Sequence, residues 1–169
     1  MSIEMDFATL YAEDVETWAE LQVDALRRLA ATPGSWGNII DWENVLEEIE
    51  SLGSEQRRAV ESLLENALAH ALKVVGDPNS LSTERWKKEI VNFLRQARKK
   101  IKPAMRSRID IEEIWQDACE QASDTLEAFD RTLPDVPQRC PFSFDDLLDA
   151  DFDPLRHLRL LTVKRTSRQ

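Results

Sequence analysis

The chain is short of the residues that turns, metal sites and phosphate loops require. It holds four glycines, seven prolines, two cysteines and two histidines in 169 residues. So few glycines and prolines argue against a turn-rich β architecture. There is no Gly-x-Gly, Gly-x-Ser-x-Gly, Gly-Lys-Ser or Gly-Lys-Thr. Phosphate-cradling loops, nucleophile elbows and dinucleotide-binding turns are thereby excluded. Cys119 and Cys140 stand 21 positions apart, with no Cys-x-x-Cys spacing and no neighbouring histidine. A zinc site wants more ligands at closer spacing and a secreted scaffold wants more cysteines. Both therefore read as reduced thiols of a cytosolic protein. No uncharged run approaches the ~20 apolar residues that span a bilayer. Met1 to Phe7 carries two acids and no apolar stretch, unlike a secretory signal. The expected setting is cytoplasmic, without membrane contact.

What is present is helical periodicity. Hydrophobic residues make up 42% and charged residues 32% of the chain, a globular balance. From about Leu10 to Ala31, Tyr11, Val15, Trp18, Leu21, Ala25 and Leu29 recur at three- and four-residue steps. Thr32-Pro33-Gly34 breaks that helix, and Trp36 is expected to plug the core from the loop. A second element starts at Asp41, with Trp42, Val45, Leu46, Ile49 and Leu52 as its stripe. Gly53-Ser54 is expected to end or bend it before the period resumes from Ala59 to Val75. A third helix runs from Ser82 or Thr83 to near Pro103, and a fourth from about Asp110 to Phe129. Ser143 with Asp146 three residues on, and Phe142 against Leu147, mark a capped start to a short last helix. The expected fold is all-α: a compact bundle of four main helices plus one or two short C-terminal helices. It occupies residues 1–154 as a single domain, followed by a basic tail over 155–169.

The net charge of −10 conceals blocks. Residues 41–56 hold six acids and no base, 85–108 hold ten bases and one acid, and 109–153 hold fourteen acids and two bases. On a helical wheel Lys87, Lys88, Arg95, Arg98, Lys99 and Lys102 share one arc of the third helix, opposite its apolar stripe. Glu113, Asp117, Glu120, Asp124 and Glu127 do the same on the fourth. Both charged faces are expected to meet solvent, where they could serve self-association or a charged partner. Overall acidity disfavours a polyanion, and no helix-turn-helix or zinc-finger pattern supports nucleic-acid binding.

One run suggests chemistry. Glu43, Glu47 and Glu50 lie at i, i+4 and i+7 on a flank bordering the apolar stripe, so the carboxylates are expected to be half-buried. Like charges in that position need a cation, a proton or an arginine, and Mg²⁺ or Mn²⁺ suits an all-oxygen set. Di-iron bundles need Glu-x-x-His, which neither His70 nor His157 provides. Glu47-x-x-Glu50 matches the first half of the helical nucleotide pyrophosphohydrolase pattern, but no second half follows. His70, among Leu68, Ala69, Ala71 and Leu72, reads as a core or boundary histidine, and His157 as solvated.

Longer segments resemble a known family. Leu10 to Trp18, Asp41 to Gly53 with Glu47-Glu48-Ile49-Glu50-Ser51 at its centre, and His70-Ala71-Leu72-Lys73 carry the likeness. So do Arg85-Trp86 through Ile90, Cys140-Pro141-Phe142, and Asp149-Ala150-Asp151-Phe152. These are similar to the bacterial "domain of unknown function 29" family. The resemblance implies a small helical protein and carries no catalytic residue with it. With no complete catalytic constellation, the leading reading is a protein-interaction or regulatory module, either with a protein partner or as a homo-oligomer. Its expected contacts are Lys88, Arg95, Lys102, Glu113, Asp117 and Glu120. The alternative is a divalent-metal site at Glu43, Glu47 and Glu50, extended to nucleotide pyrophosphate hydrolysis.

Overall fold

The computed structural model describes residues 6–32 and 39–159. Every regular element among them is helical: α1 (Phe7–Glu13), α2 (Val15–Ala30), α3 (Trp42–Gly76), α4 (Thr83–Lys100), a 3₁₀ turn (Pro103–Ser107), α5 (Ile111–Glu127) and α6 (Phe144–Leu148). A further helical stretch covers 154–159. Trp36 lies outside the described residues. The chain forms two compact units: residues 1–58 with 102–108, and residues 59–101 with 109–169.

Helix starts are written in aspartate. Asp6 accepts from the amides of Ala8 and Thr9, and Asp14 from that of Thr17. Asp41 caps α3 through Asn44, Asp110 caps α5 through Glu112 and Glu113, and Asp153 accepts from Leu155 and Arg156. Each carboxylate satisfies amides that have no partner in a helix's first turn and sits at the positive end of the dipole. Ser143 and Asp146 complete a capping box at α6, as the spacing implies.

This punctuation divides the first expected helix. Asp14 leaves the helical conformation (φ −145°, ψ 74°), ending α1 and opening α2 at once. Its second oxygen also holds the Thr17 hydroxyl at 2.6 Å. Apolar periodicity runs straight across the joint because Tyr11 and Trp18 still meet edge to face, 4.9 Å apart.

The opposite correction applies at Gly53-Ser54: α3 neither ends nor restarts there, and its 35 residues are one helix. A Cβ on Gly53 would stand 2.7 Å from the Ala19 Cβ, so the glycine lets α2 and α3 approach within the first unit. Ser54 bonds back to the Ser51 carbonyl at 3.2 Å instead of capping anything.

In the second unit the later half of α3 is the core. Val60, Leu64, Ala67, Leu68, Ala69, Ala71, Leu72 and Val74 are buried on nearly every side of the helix. Around them pack Trp86, Ile90, Leu94 and Ala97 of α4 and Ile114, Trp115, Ala118, Ala122 and Leu126 of α5, all buried. At Gly76 an added Cβ would meet Leu126 at 2.5 Å, a second close approach. α5 closes when Asp130 takes a positive φ of 55° and the Arg131 amide reaches back to the Leu126 carbonyl at 2.9 Å. The loop after it is pinned to α5, since Trp115 Nε1 donates to the Pro137 carbonyl and the Cys140 amide to Glu112. Residues 154–159 do not begin as a loose tail. Pro154, Leu155 and Leu158 are buried, and Leu155 joins Val74 and Trp86 in one cluster.

Candidate functional site

The first half of α3 differs sharply from the second. Of residues 42–58 only Gly53 is buried; Trp42, Leu46 and Ile49 are half-buried. Val45 and Leu52, two turns apart, are 37% and 42% exposed. Glu43, Glu47, Glu48 and Glu55 stand exposed around this apolar strip.

The expected half-burial of Glu43, Glu47 and Glu50 does not occur, because all three project to solvent. Arg27 of α2 reaches Glu50 at 2.5 Å. Among the described residues no group of three or more His, Cys, Asp or Glu side chains is placed to hold a metal ion. Burial of carboxylates in this unit falls instead on Glu16. Arg57 bonds both its oxygens at 3.2 Å, and Arg108 approaches it at 3.7 Å. Arg108 also grips Glu20 at 2.7 and 3.1 Å and the Thr17 hydroxyl at 3.0 Å. Its hydrogen bonds hold the Glu20 carboxyl below the ordinary range.

A second feature of the first unit is a groove of about 640 Å³ between α1 and the start of the 3₁₀ turn. Asp6, Thr9, Leu10, Glu13 and Asp14 form one wall, and Lys102, Pro103 and Ala104 the other. Lys102 is here because α4 ends at Lys100; Ile101 and Lys102 are extended. A residue preceding proline is pushed from the helical region by the ring. Lys102 therefore leaves the basic stripe on which the periodicity places it.

Arg98 leaves that stripe too. Its guanidinium turns inward to the end of α6, donating to the carbonyls of Leu147, Leu148 and Asp149. Lys88 and Arg95 on α4 and Glu113, Asp117 and Glu120 on α5 remain exposed, with no ion pair joining the two sets. Arg95 contacts Asn92 at 3.0 Å. Burial, helped by the nearby Asp117, raises the Glu65 carboxyl.

Sequence periodicity does not reveal the polar cluster between α3 and α4. Lys73 is 6% exposed, its amine 5.9 Å from the Trp86 ring centroid. His70, one turn earlier, packs 5.5 Å from Phe93 and 6.4 Å from Trp86. Its Nδ1 is buried without a hydrogen bond, although Glu89 lies 3.3 Å away. Burial, reinforced by Lys73 and Arg85, pushes the imidazole down to about 4. Burial also lowers the Lys73 ammonium, against the opposing pull of Glu89. The one available signal was the His-Ala-Leu-Lys segment, which set two polar residues inside a fully apolar run. Cys119 and Cys140 are free, and burial drives both thiols up to about 11, so they are protonated at neutral pH.

The model of the "domain of unknown function DUF29" family matches residues 10–153. This chain belongs to that family. A search of curated proteins finds no match. Among solved structures, the DUF29 chain is similar to an alpha-helical protein of unknown function from Rhodospirillum rubrum ATCC 11170. The two share 28% identity and a TM-score of 0.71, covering 89% of this chain and 96% of the other. The all-α fold expected from the sequence is thus shared with a crystal structure. No helix of the described residues is long and apolar enough to cross a membrane.

Proposed function

We propose that this DUF29 protein is a protein-interaction module, and that the first half of α3 receives a basic amphipathic helix from a partner. The observation carrying this reading is the contrast within one helix. Residues 67–74 are buried on every side except at the half-buried His70, while the apolar strip of residues 42–52 is left half-covered or open. A helix face that keeps tryptophan, leucine, isoleucine and valine in partial contact with water gains free energy when another helix covers it. The acids around the strip set the sign of the partner, since Glu43, Glu47, Glu48 and Glu55 would face its lysines or arginines.

The test is fluorescence anisotropy of a labelled Leu/Lys amphipathic peptide titrated with the whole protein at low and high salt. Saturable binding that weakens with salt is expected. Val45→Gln with Leu52→Gln should weaken it roughly tenfold, the equivalent of ~1.4 kcal/mol of lost apolar burial. Binding that ignores those two substitutions, or no binding at low salt, would refute the reading. A second reading, self-association through Lys88, Arg95, Glu113, Asp117 and Glu120 of the second unit, without Lys102, is favoured by the exposure of all five. Light scattering after size exclusion tests it, and a monomer at low salt across the concentration range removes it.

A further inference from the structure

The α1 groove carries an inference separate from helix docking. At about 640 Å³ it falls within the roughly 300–1,000 Å³ typical of small-molecule sites. Its apolar surface comes from Leu10 on one wall and Pro103 and Ala104 on the other. The charges are three carboxylates, Asp6, Glu13 and Asp14, against the single ammonium of Lys102. Two of the carboxylates are already employed. Asp6 caps α1 and holds the Thr9 hydroxyl, while Asp14 caps α2 and holds that of Thr17. Part of the accepting capacity of both is taken up by these bonds, and their charge adds to the field of the groove. Glu13 has no hydrogen bond or ion pair among the described residues, and neither has Lys102. Lys102 is exposed on a long flexible stem, free to swing aside.

We propose that this groove binds a small organic ammonium ion, its apolar body against Leu10, Pro103 and Ala104 and its charge facing Glu13. An anion would meet the combined field of three carboxylates with only Lys102 to answer it. An uncharged apolar ligand would leave Glu13 partly dehydrated and unpaired, which costs free energy. A monocation with a hydrocarbon body meets both conditions. One unemployed carboxylate matches one ammonium, and the field of Asp6 and Asp14 adds to the attraction without direct contact.

Calorimetric titration of the whole protein with hexylammonium and benzylammonium chloride, and with sodium hexanoate as control, tests this. Both ammonium probes should bind saturably and hexanoate should not. Glu13→Gln should weaken binding about tenfold, the magnitude of one charge-assisted hydrogen bond. Lys102→Ala should tighten it about two- to threefold by removing a like charge. The two variants thus move affinity in opposite directions, which a nonspecific apolar site would not do. Both positions are exposed, and an unchanged far-UV spectrum confirms that each variant folds. Failure of both probes to bind, equal binding of hexanoate, or an unchanged affinity in Glu13→Gln overturns the proposal. A failed helix-docking test would leave it intact, because none of the probes requires the α3 strip.

Discussion

His70 and Glu89 approach to 3.3 Å, yet the pair is not an ion pair at neutral pH. Taking the imidazolium out of water, beside Lys73 and Arg85, outweighs the pull of one half-exposed carboxylate. In the unfolded chain His70 binds a proton near 6.5, whereas in the fold it does so only near 4. The unfolded state therefore holds more protons within that window. His70's contribution to stability is intact above 6.5 and is lost as pH falls towards 4, by up to about 3 kcal/mol. Urea unfolding at a series of pH values should show that slope, and His70→Gln should flatten it. An unchanged slope in the variant would mean that other groups carry the acid sensitivity. Arg98 teaches a related lesson about single residues. Periodicity assigns it to a solvent arc, but three carbonyls at the end of α6 draw it inward. A helix of five residues satisfies few of its own carbonyls, and the nearest guanidinium completes the work.

For the elements, Gly53 is the decisive position. Replacing it with alanine should favour the helix by ~1 kcal/mol on propensity alone. The new Cβ would, however, press against the Ala19 Cβ at 2.7 Å, and neither methyl can rotate away. Net destabilisation of about 1–2 kcal/mol is expected, by analogy with other overpacked cores. Thermal melting should show it, and Ala19→Gly in the same chain should recover most of the loss. A stabilised Gly53→Ala protein would instead mean that α2 moves aside at little cost.

The same position explains what was legible beforehand. Apolar periodicity located α2, both halves of α3, α4 and α5, because each has a stripe that a core must cover. Breaks within those stripes were misread in both directions. Glycine at 53 reads as an end or a bend but serves a close packing contact, and aspartate at 14, inside a stretch that reads as one helix, caps a second. Both depend on a neighbour that periodicity does not see. Polar sites were harder still. The acidic flank of α3 was visible, but its exposure and the contact of Glu50 with Arg27 depend on where α2 lies. The α1 groove needs the extended residues before Pro103 to bring Lys102 to its wall.

Across the whole molecule, protection is unevenly distributed. Amide exchange should be slowest in residues 67–74 of α3, where every side chain but the half-buried His70 is buried, and much faster in residues 42–52 of the same helix. Exchange monitored by mass spectrometry would show the gradient, and a uniform rate along α3 would contradict it. Binding of a basic helix should slow the first half selectively. The distribution of charge has its own logic. Five aspartates, at 6, 14, 41, 110 and 153, accept bonds from backbone amides at helix starts. Asparagine caps a helix about as well as aspartate does. Amidating all five would take the net charge from −10 to −5, since each exchange removes one negative charge. The bonds from backbone amides would survive, while the second oxygens that accept from Thr9, Thr17 and Asn44 would be lost. Five of this protein's 32 acids are therefore grammar rather than solubility: they mark where helices begin, and their bonds to the backbone survive translation into a neutral alphabet.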